Sequence, residues 1–429
     1  MSLTATSRSF CWARKAWPGS RLRAWWNQAP VPCSLVETSA VFQMLHRLGH
    51  GPALLVACLL AAAPTVTPLP WSTAGILLLA AATAYGLPGI ATATLPFFLL
   101  WAPKLSIAGT GNEVVFVRID HALVLAILLR ALQEKTLRTD RVLLPIVAFI
   151  MATCVSIITG TLSGTLNGAV AALFYLIQLL YLSGIFIAAS TYGTRFPKLG
   201  IYSWAYAILT ITAYGIAEMI HPVEGVPDGV YRTYERFYFD GQANHVAGLL
   251  ACGTVTGLAL MKTARWRGLG LVLAISGPIA MLGTHSREGF IALAVMLASF
   301  VLLPRPRVFL TVLVVTMVAG VMTCGPVLNA LAVPGSSFFD RVLNWHAALE
   351  AFSHHPLVGL GLGAWHRNSY DNQYIMWLTE TGLIGTIVFA LWILVLLRKF
   401  WQNRNQPGVA GALGVGAFCA LAGISVQGL

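Results

Sequence analysis

Apolar runs of roughly 15 to 25 residues follow one another along most of this chain, close to the roughly 20 residues that a helix needs to cross a bilayer. They lie near 48–65, 73–88, 89–103, 119–134, 142–160, 168–192, 200–220, 243–262, 268–284, 288–303, 308–332, 373–397 and 408–428. Composition agrees: 57% of the residues are hydrophobic and only 10% charged, far from the ~25% charge of a soluble domain. The expected fold is all-α, a polytopic transmembrane helical bundle of about 12–13 spans.

Threading the chain through these spans separates its charges. One side receives 20 of the 27 Lys and Arg, in the N-terminal tail, Arg130–Arg141, Arg195–Lys198, Lys262–Arg267, Arg305–Arg307 and Arg398–Arg404. The other receives 12 of the 15 acids and 8 of the 10 His. Cytoplasmic loops retain Lys and Arg, so the basic side and the N-terminus are expected to be cytoplasmic. The side chains capable of chemistry then fall on the extracytoplasmic face. The same asymmetry accounts for a pI near 9.6 without a nucleic-acid partner. The seven Cys form no CxxC pair and sit mostly inside apolar runs, which reads as small core residues. HExxH, a P-loop and DxD are all absent, which argues against a nucleotide-driven pump and against a metal-dependent nucleotide-sugar transferase.

Residues 1–43 form a tail unlike the rest, with Trp12, Trp17, Trp25 and Trp26 among five basic residues. It reads as disordered or as lying upstream of a true start at Met44, with an interfacial anchor on anionic lipid as the alternative. The chain also ends in an apolar run at Gly428-Leu429 without a polar flank, which leaves a continuation past Leu429 open and makes the last span the least secure. Residues 44–429 are then the membrane domain, with longer outer loops at 104–118, 221–242 and 333–372. In the last of these, Val342, Trp345, Leu349 and Phe352 recur at helical spacing, with Leu343 and Ala348 beside them. They predict a short amphipathic helix from Arg341 to Phe352, capped by Asp340 and stopped at His354-His355-Pro356.

Three outer segments hold most of the polar chemistry. In 231–245, Arg232 and Arg236 alternate with aromatic rings and lead into a span. They suit an anion and flat sugar rings, or else are snorkelling arginines in an aromatic belt. In 283–289, Arg287 and Glu288 sit at the membrane boundary, where a charge needs a partner. They form either a packing ion pair, mutual or interhelical, or a diphosphate site built on the bidentate guanidinium. In 341–385, the glycines from Pro356 to Gly363 read as a close-packed turn, since GxGxG without a strand–helix context is no nucleotide fingerprint. Asp371 then stands at the mouth of a span, as helix cap or as base. Glu380 lies deeper and is expected to anchor the bundle through an arginine or a backbone group.

At these places the chain resembles the O-antigen ligase and polysaccharide polymerase family, over roughly residues 230–400. The shared features are the arginine-bearing loop ending in Gly241-x-x-Asn244, the turn Ser286-Arg287-Glu288-Gly289, and a long third signature. That signature is Arg341, Trp345, Pro356, Gly359 and Gly361, then Asp371-Asn372, Glu380, Gly382 and Gly385. The resemblance implies a GT-C-like bacterial inner-membrane glycosyltransferase that needs no cofactor or metal. It would move a glycan from a polyprenyl (undecaprenyl) diphosphate carrier to an acceptor sugar at the periplasmic face. Arg236, Arg287 and Arg232 would hold the diphosphate, and Asn244, Arg341, Trp345, Asn372 and Glu380 would support the site. Ligases of the family carry His where this chain has Asp371, so the base is expected to be Asp371, with His366 as a steric substitute. That departure favours a polymerase, whose acceptor is a second lipid-linked glycan and whose partners include a chain-length regulator. A ligase acting on lipid A–core and a polysaccharide or lipid transporter are the alternatives.

Overall fold

A computed structural model of the protein describes residues 70–101, 105–108, 115–136, 142–165, 169–221, 243–303, 337–364 and 372–427. The tail 1–43 and the expected spans 48–65 and 308–332 lie outside these residues, as do Arg232, Arg236, His366 and Asp371.

Each of the eleven other apolar runs is a helix. In chain order these are α1 (Pro70–Gly86), α2 (Pro88–Trp101), α3 (Ile119–Gln133), α4 (Leu143–Leu162), α5 (Ala169–Tyr192), α6 (Pro197–Ile220), α7 (Ala243–Leu260), α8 (Arg267–Leu282) and α9 (Arg287–Leu302). After α10 (Ser337–His354) come α11 (Gln373–Asn403) and α12 (Val409–Gln427). Proline sets several of the starts, because a first-turn residue needs no amide proton: Pro88 opens α2 and Pro197 opens α6. Among the described residues six helices are long and apolar enough to cross a membrane: α4, the Tyr175–Tyr192 part of α5, α6, α7, α11 and α12. The protein is thus a polytopic helical membrane protein.

Two features depart from the expectation. The outer loop 104–118 holds a small antiparallel hairpin, β1 (Leu105–Ala108) with β2 (Val115–Val117), in a register that pairs Leu105 with Val117. Arg118 ties its exit to the end of α2, donating from Nη2 to the carbonyls of Phe98 and Leu99 at 3.2 and 2.6 Å. These are carbonyls that the last turn of a helix leaves without internal partners. The outer amphipathic helix also begins earlier than expected. α10 starts at Ser337, so Asp340 lies inside its first turn rather than capping it, while the stop at His354 stands. Its covered face runs through Arg341, Trp345, Ala348 and Phe352; Leu343 and Leu349 point outward.

α7 is the axis of the bundle. It packs against α8, α9 and α12, and thirteen of its eighteen residues are buried. Around it, α2 packs on α6, α1 on α3, and α4 on α11. The outward positions are large apolar residues such as Leu144, Ile158, Ile275 and Leu394, as lipid-facing helix sides require. Cys252 and Cys419 are buried and free, in keeping with small core residues.

Candidate active site

The glycine-rich stretch after α10 closes a break in α11. At Gly382 the backbone takes φ 67° and ψ −170°, which ends one helical segment and starts the next. The groups left without helical partners are taken up by the loop. The amides of Leu360 and Gly361 donate to the carbonyls of Thr379 and Glu380 at 2.9 and 3.1 Å. On the other side of the break, Leu383 and Ile384 donate to the carbonyls of Pro356 and Leu357 at 2.9 and 3.2 Å. Ser156 of α4 also donates to the Glu380 carbonyl, and Thr165 donates to that of Leu360 at 2.8 Å. The close-packed turn read from the sequence is therefore a backbone splice between loop and helix.

Such a splice tolerates no side chain at its centre. A Cβ on Gly382 would lie 2.3 Å from the Leu357 carbonyl oxygen, and one on Gly359 would lie 2.4 Å from the Glu380 carbonyl carbon. A non-glycine residue at this φ also carries strain of about 1–3 kcal/mol. Gly382→Val is expected to lower the thermal midpoint of the detergent-solubilised protein sharply or to prevent its accumulation. Gly75→Ala on α1, where a Cβ meets nothing within 4 Å, is the control and is expected to be neutral. Equal midpoints in a thermal-shift measurement would show that the splice contributes little.

One helix away, the turn between α8 and α9 positions the charged residues. Thr284 Oγ1 donates to the Met281 carbonyl at 2.7 Å and accepts from the Ser286 amide at 3.2 Å. His285 adopts a positive φ of 48°. Ser286 then caps α9, its hydroxyl accepting from the Gly289 amide at 3.0 Å. A Cβ on Gly289 would come within 2.4 Å of the Ala247 Cβ, so glycine lets α9 lie tightly on α7 at this level. That approach brings Glu288 to Asn244.

Glu288 is the centre of the arrangement. Its Oε1 pairs with Arg341 Nη1 at 2.6 Å, and its Oε2 accepts from Asn244 Nδ2 at 3.1 Å. The Asn244 carbonyl accepts from Gln427 Nε2 at 2.6 Å, and Tyr374 on α11 donates its hydroxyl to the Ser425 carbonyl at 2.6 Å. Thr379 of α11 reaches the Ala348 carbonyl of α10 at 3.3 Å. The starts of α7, α9 and α11, the end of α12 and the helix α10 thus meet at one end of the bundle.

This geometry resolves two of the alternatives left by the sequence. Glu288 does not pair with its neighbour Arg287; its partner is Arg341, 53 residues on. Arg287 is exposed at the first position of α9 and makes no ion pair or hydrogen bond through its guanidinium among the described residues. The cap of α11 is Asn372, whose Oδ1 accepts from the amides of Tyr374 and Ile375, both at 3.0 Å. Glu380 is 1% exposed, and it anchors the splice through its carbonyl, which Ser156 and Gly361 share. Trp345 lies on the covered face of α10, one turn beyond Arg341.

The structure joins Asn244 and Arg341 through Glu288, with Arg287 the preceding residue; Asn372 stands at the start of α11 and Glu380 at its break. Glu288 as the hub and Gln427 as a brace were missed as site residues. A carboxylate in the first turn of a helix was the available signal for Glu288; Gln427 offered none. Among the described residues no group of three or more His, Cys, Asp or Glu is placed to hold a metal ion.

Fold and site together define a multispan membrane protein with a polar cluster gathered at one end. Residues 269–390 match the family model described as O-Antigen ligase. The match takes in the Ser286–Gly289 turn and the Arg341–Gly385 signature, and over these residues the chain is similar to the O-antigen ligase family. No curated protein matches the chain.

Proposed function

We propose that the protein transfers a glycan from a polyprenyl diphosphate carrier to an acceptor sugar at the periplasmic face of the bacterial inner membrane, as a polysaccharide polymerase. The observation that carries this reading is Arg287. It stands exposed at the start of α9 with no ion pair among the described residues, while Glu288 beside it is occupied by Arg341 and Asn244. A guanidinium so placed can take two oxygens of a diphosphate at once, and the start of α9 adds the partial positive charge of a helix N-terminus. Arg236 and Arg232 complete the anion site in this reading.

The bond between the anomeric carbon and the diphosphate oxygen breaks, and the acceptor hydroxyl oxygen bonds to that carbon. Its proton passes to Asp371, with His366 the next candidate. The leaving polyprenyl diphosphate carries off the electron pair, and the arginines stabilise its growing charge. Asn244, Arg341, Trp345, Asn372 and Glu380 hold the frame. The acceptor is a second lipid-linked glycan, a preference that rests on Asp371 standing where ligases have His; a chain-length regulator is the protein partner.

Purified protein given a radiolabelled polyprenyl-diphosphate oligosaccharide is expected to lengthen it with a second lipid-linked glycan as acceptor, and to do so equally in EDTA. Product only with lipid A–core would make the protein a ligase. Activity lost to EDTA and restored by a divalent ion would overturn the arginine-based site. No product with either acceptor would sink the reading.

A further inference from the structure

The opposite end of the bundle holds a cavity of about 620 Å³ that takes no part in the site above. Its walls come from the first turn of α6, the link between α7 and α8, the link between α11 and α12, and the first turns of α12. Asn244 is the second residue of α7 and Lys262 follows its last turn, so the two ends stand about 27 Å apart along that helix.

Among the described residues four cations line the cavity, Lys198, Lys262, Arg265 and Arg404, and no carboxylate does. None of the four has an ion pair among the described residues. Aromatic faces hold three of them instead. Lys262 Nζ lies 4.3 Å from the Phe300 ring centroid, and the Arg404 guanidinium lies 4.0 Å from that of Trp401. The Arg265 guanidinium lies 5.9 Å from that of Trp266. A cation on a ring keeps its full charge. Retention of basic residues at one membrane face accounts for charge at this end, but not for its convergence on a cavity from three distant stretches of chain. The remaining wall is mostly apolar, with Ile201, Val409, Ala412 and Val415, beside the polar Thr263 and Gln406.

We propose that this cavity binds the headgroup of an anionic phospholipid from the adjoining leaflet, which is the inner leaflet in the orientation given above. The lipid phosphate would sit among the four cations, making charge-assisted hydrogen bonds. The glycerol and upper acyl chain would lie on the apolar wall. A free phosphate presents the same anion but has no use for that wall, which is why a lipid is the occupant. Basic pockets between membrane helices on the cytoplasmic side take such headgroups. The proposal does not depend on the transfer chemistry at the other end.

The test is native mass spectrometry of the whole protein released from nanodiscs of equimolar phosphatidylglycerol and phosphatidylethanolamine. The wild type is expected to retain phosphatidylglycerol selectively. A basic residue near a membrane surface is worth roughly fivefold in anionic-lipid affinity, so Lys198→Gln/Lys262→Gln/Arg265→Gln is expected to lose on the order of a hundredfold. Val409→Trp, which keeps every cation and narrows the apolar side, is expected to lose retention as well. If the triple variant does not fold, Lys198→Gln alone, on the exposed first turn of α6, is expected to lose about fivefold. Equal retention of both lipids by the wild type, or unchanged selectivity in the variants, overturns the proposal. Millimolar inorganic phosphate is expected to leave the lipid in place; its displacement would assign the cavity to a soluble anion and also overturn it.

Discussion

Arg287→Ala is expected to abolish glycan transfer while the protein reaches the membrane at its normal level. The two halves of that expectation have separate physical origins. The guanidinium is exposed and makes no ion pair among the described residues, so its removal leaves no buried partner unsatisfied. The fold should not register the change. In the reaction, by contrast, the departing diphosphate gains charge as the glycosidic bond breaks. Losing one positioned donor to such a charge reduces rate by roughly 10²- to 10³-fold. Arg287→Lys should recover little, because one ammonium cannot reproduce two parallel bonds to adjacent oxygens. Arg341→Ala offers the contrast. It strips Glu288 of its 2.6 Å partner and detaches α10 from α9, so it should lower stability as well as activity. Radiolabelled product formation set against immunoblotted membrane levels checks all three. Full activity of Arg287→Ala would remove the arginine from the site, and loss of the protein from the membrane would make it a packing residue.

The helices were legible because a membrane span announces itself by a run of apolar residues, whatever it packs against. The starts of α7, α8, α9 and α11 fall within a residue of the expected positions for that reason. What the apolar pattern does not carry is anything decided by backbone groups. The break at Gly382 is filled by amides and carbonyls 19 to 27 residues away, and these bonds leave no trace in side-chain spacing except the glycines that permit them. The glycines of 359–363 were therefore readable as a close turn but not as the other half of a broken helix. The hairpin 105–117 was missed for a related reason: strands of three and four residues are too short to show alternation against apolar surroundings.

Within the site, adjacency left a choice open. Arg287 and Glu288 are neighbours in sequence, so a mutual pair and an interhelical one were both expected. Consecutive residues on a helix project about 100° apart, and the Glu288 carboxylate reaches Arg341 and Asn244 instead. Asp371 and Asn372 are both good cap residues, and only the geometry assigns the cap to Asn372. Asp340 looked like a cap because it precedes the apolar stripe of α10, yet Ser337 to Phe339 extend the helix ahead of it.

The identity of the α11 cap sharpens what Asp371 should do. Asp371→Asn is expected to lose activity by on the order of 10²- to 10⁴-fold, the usual contribution of a general base. An amide of the same shape cannot accept the acceptor hydroxyl's proton. The α11 N-terminus should be unaffected, since both capping bonds are made by Asn372 Oδ1 at 3.0 Å. An unchanged thermal midpoint beside a collapsed rate therefore separates proton transfer from structure at a single position. Asp371→His should keep part of the activity, because an imidazole is also a base and stands at the matching position in ligases of the family. The pH profile should shift with it, as the group that must be deprotonated changes from a carboxyl to an imidazole with an ordinary pKa near 6.5. A lower thermal midpoint in Asp371→Asn would mean that the carboxylate is structural after all. A fully active Asp371→Asn would move the base to His366, the next polar candidate on the same outer loop, and the same pair of measurements on His366→Gln would then decide it.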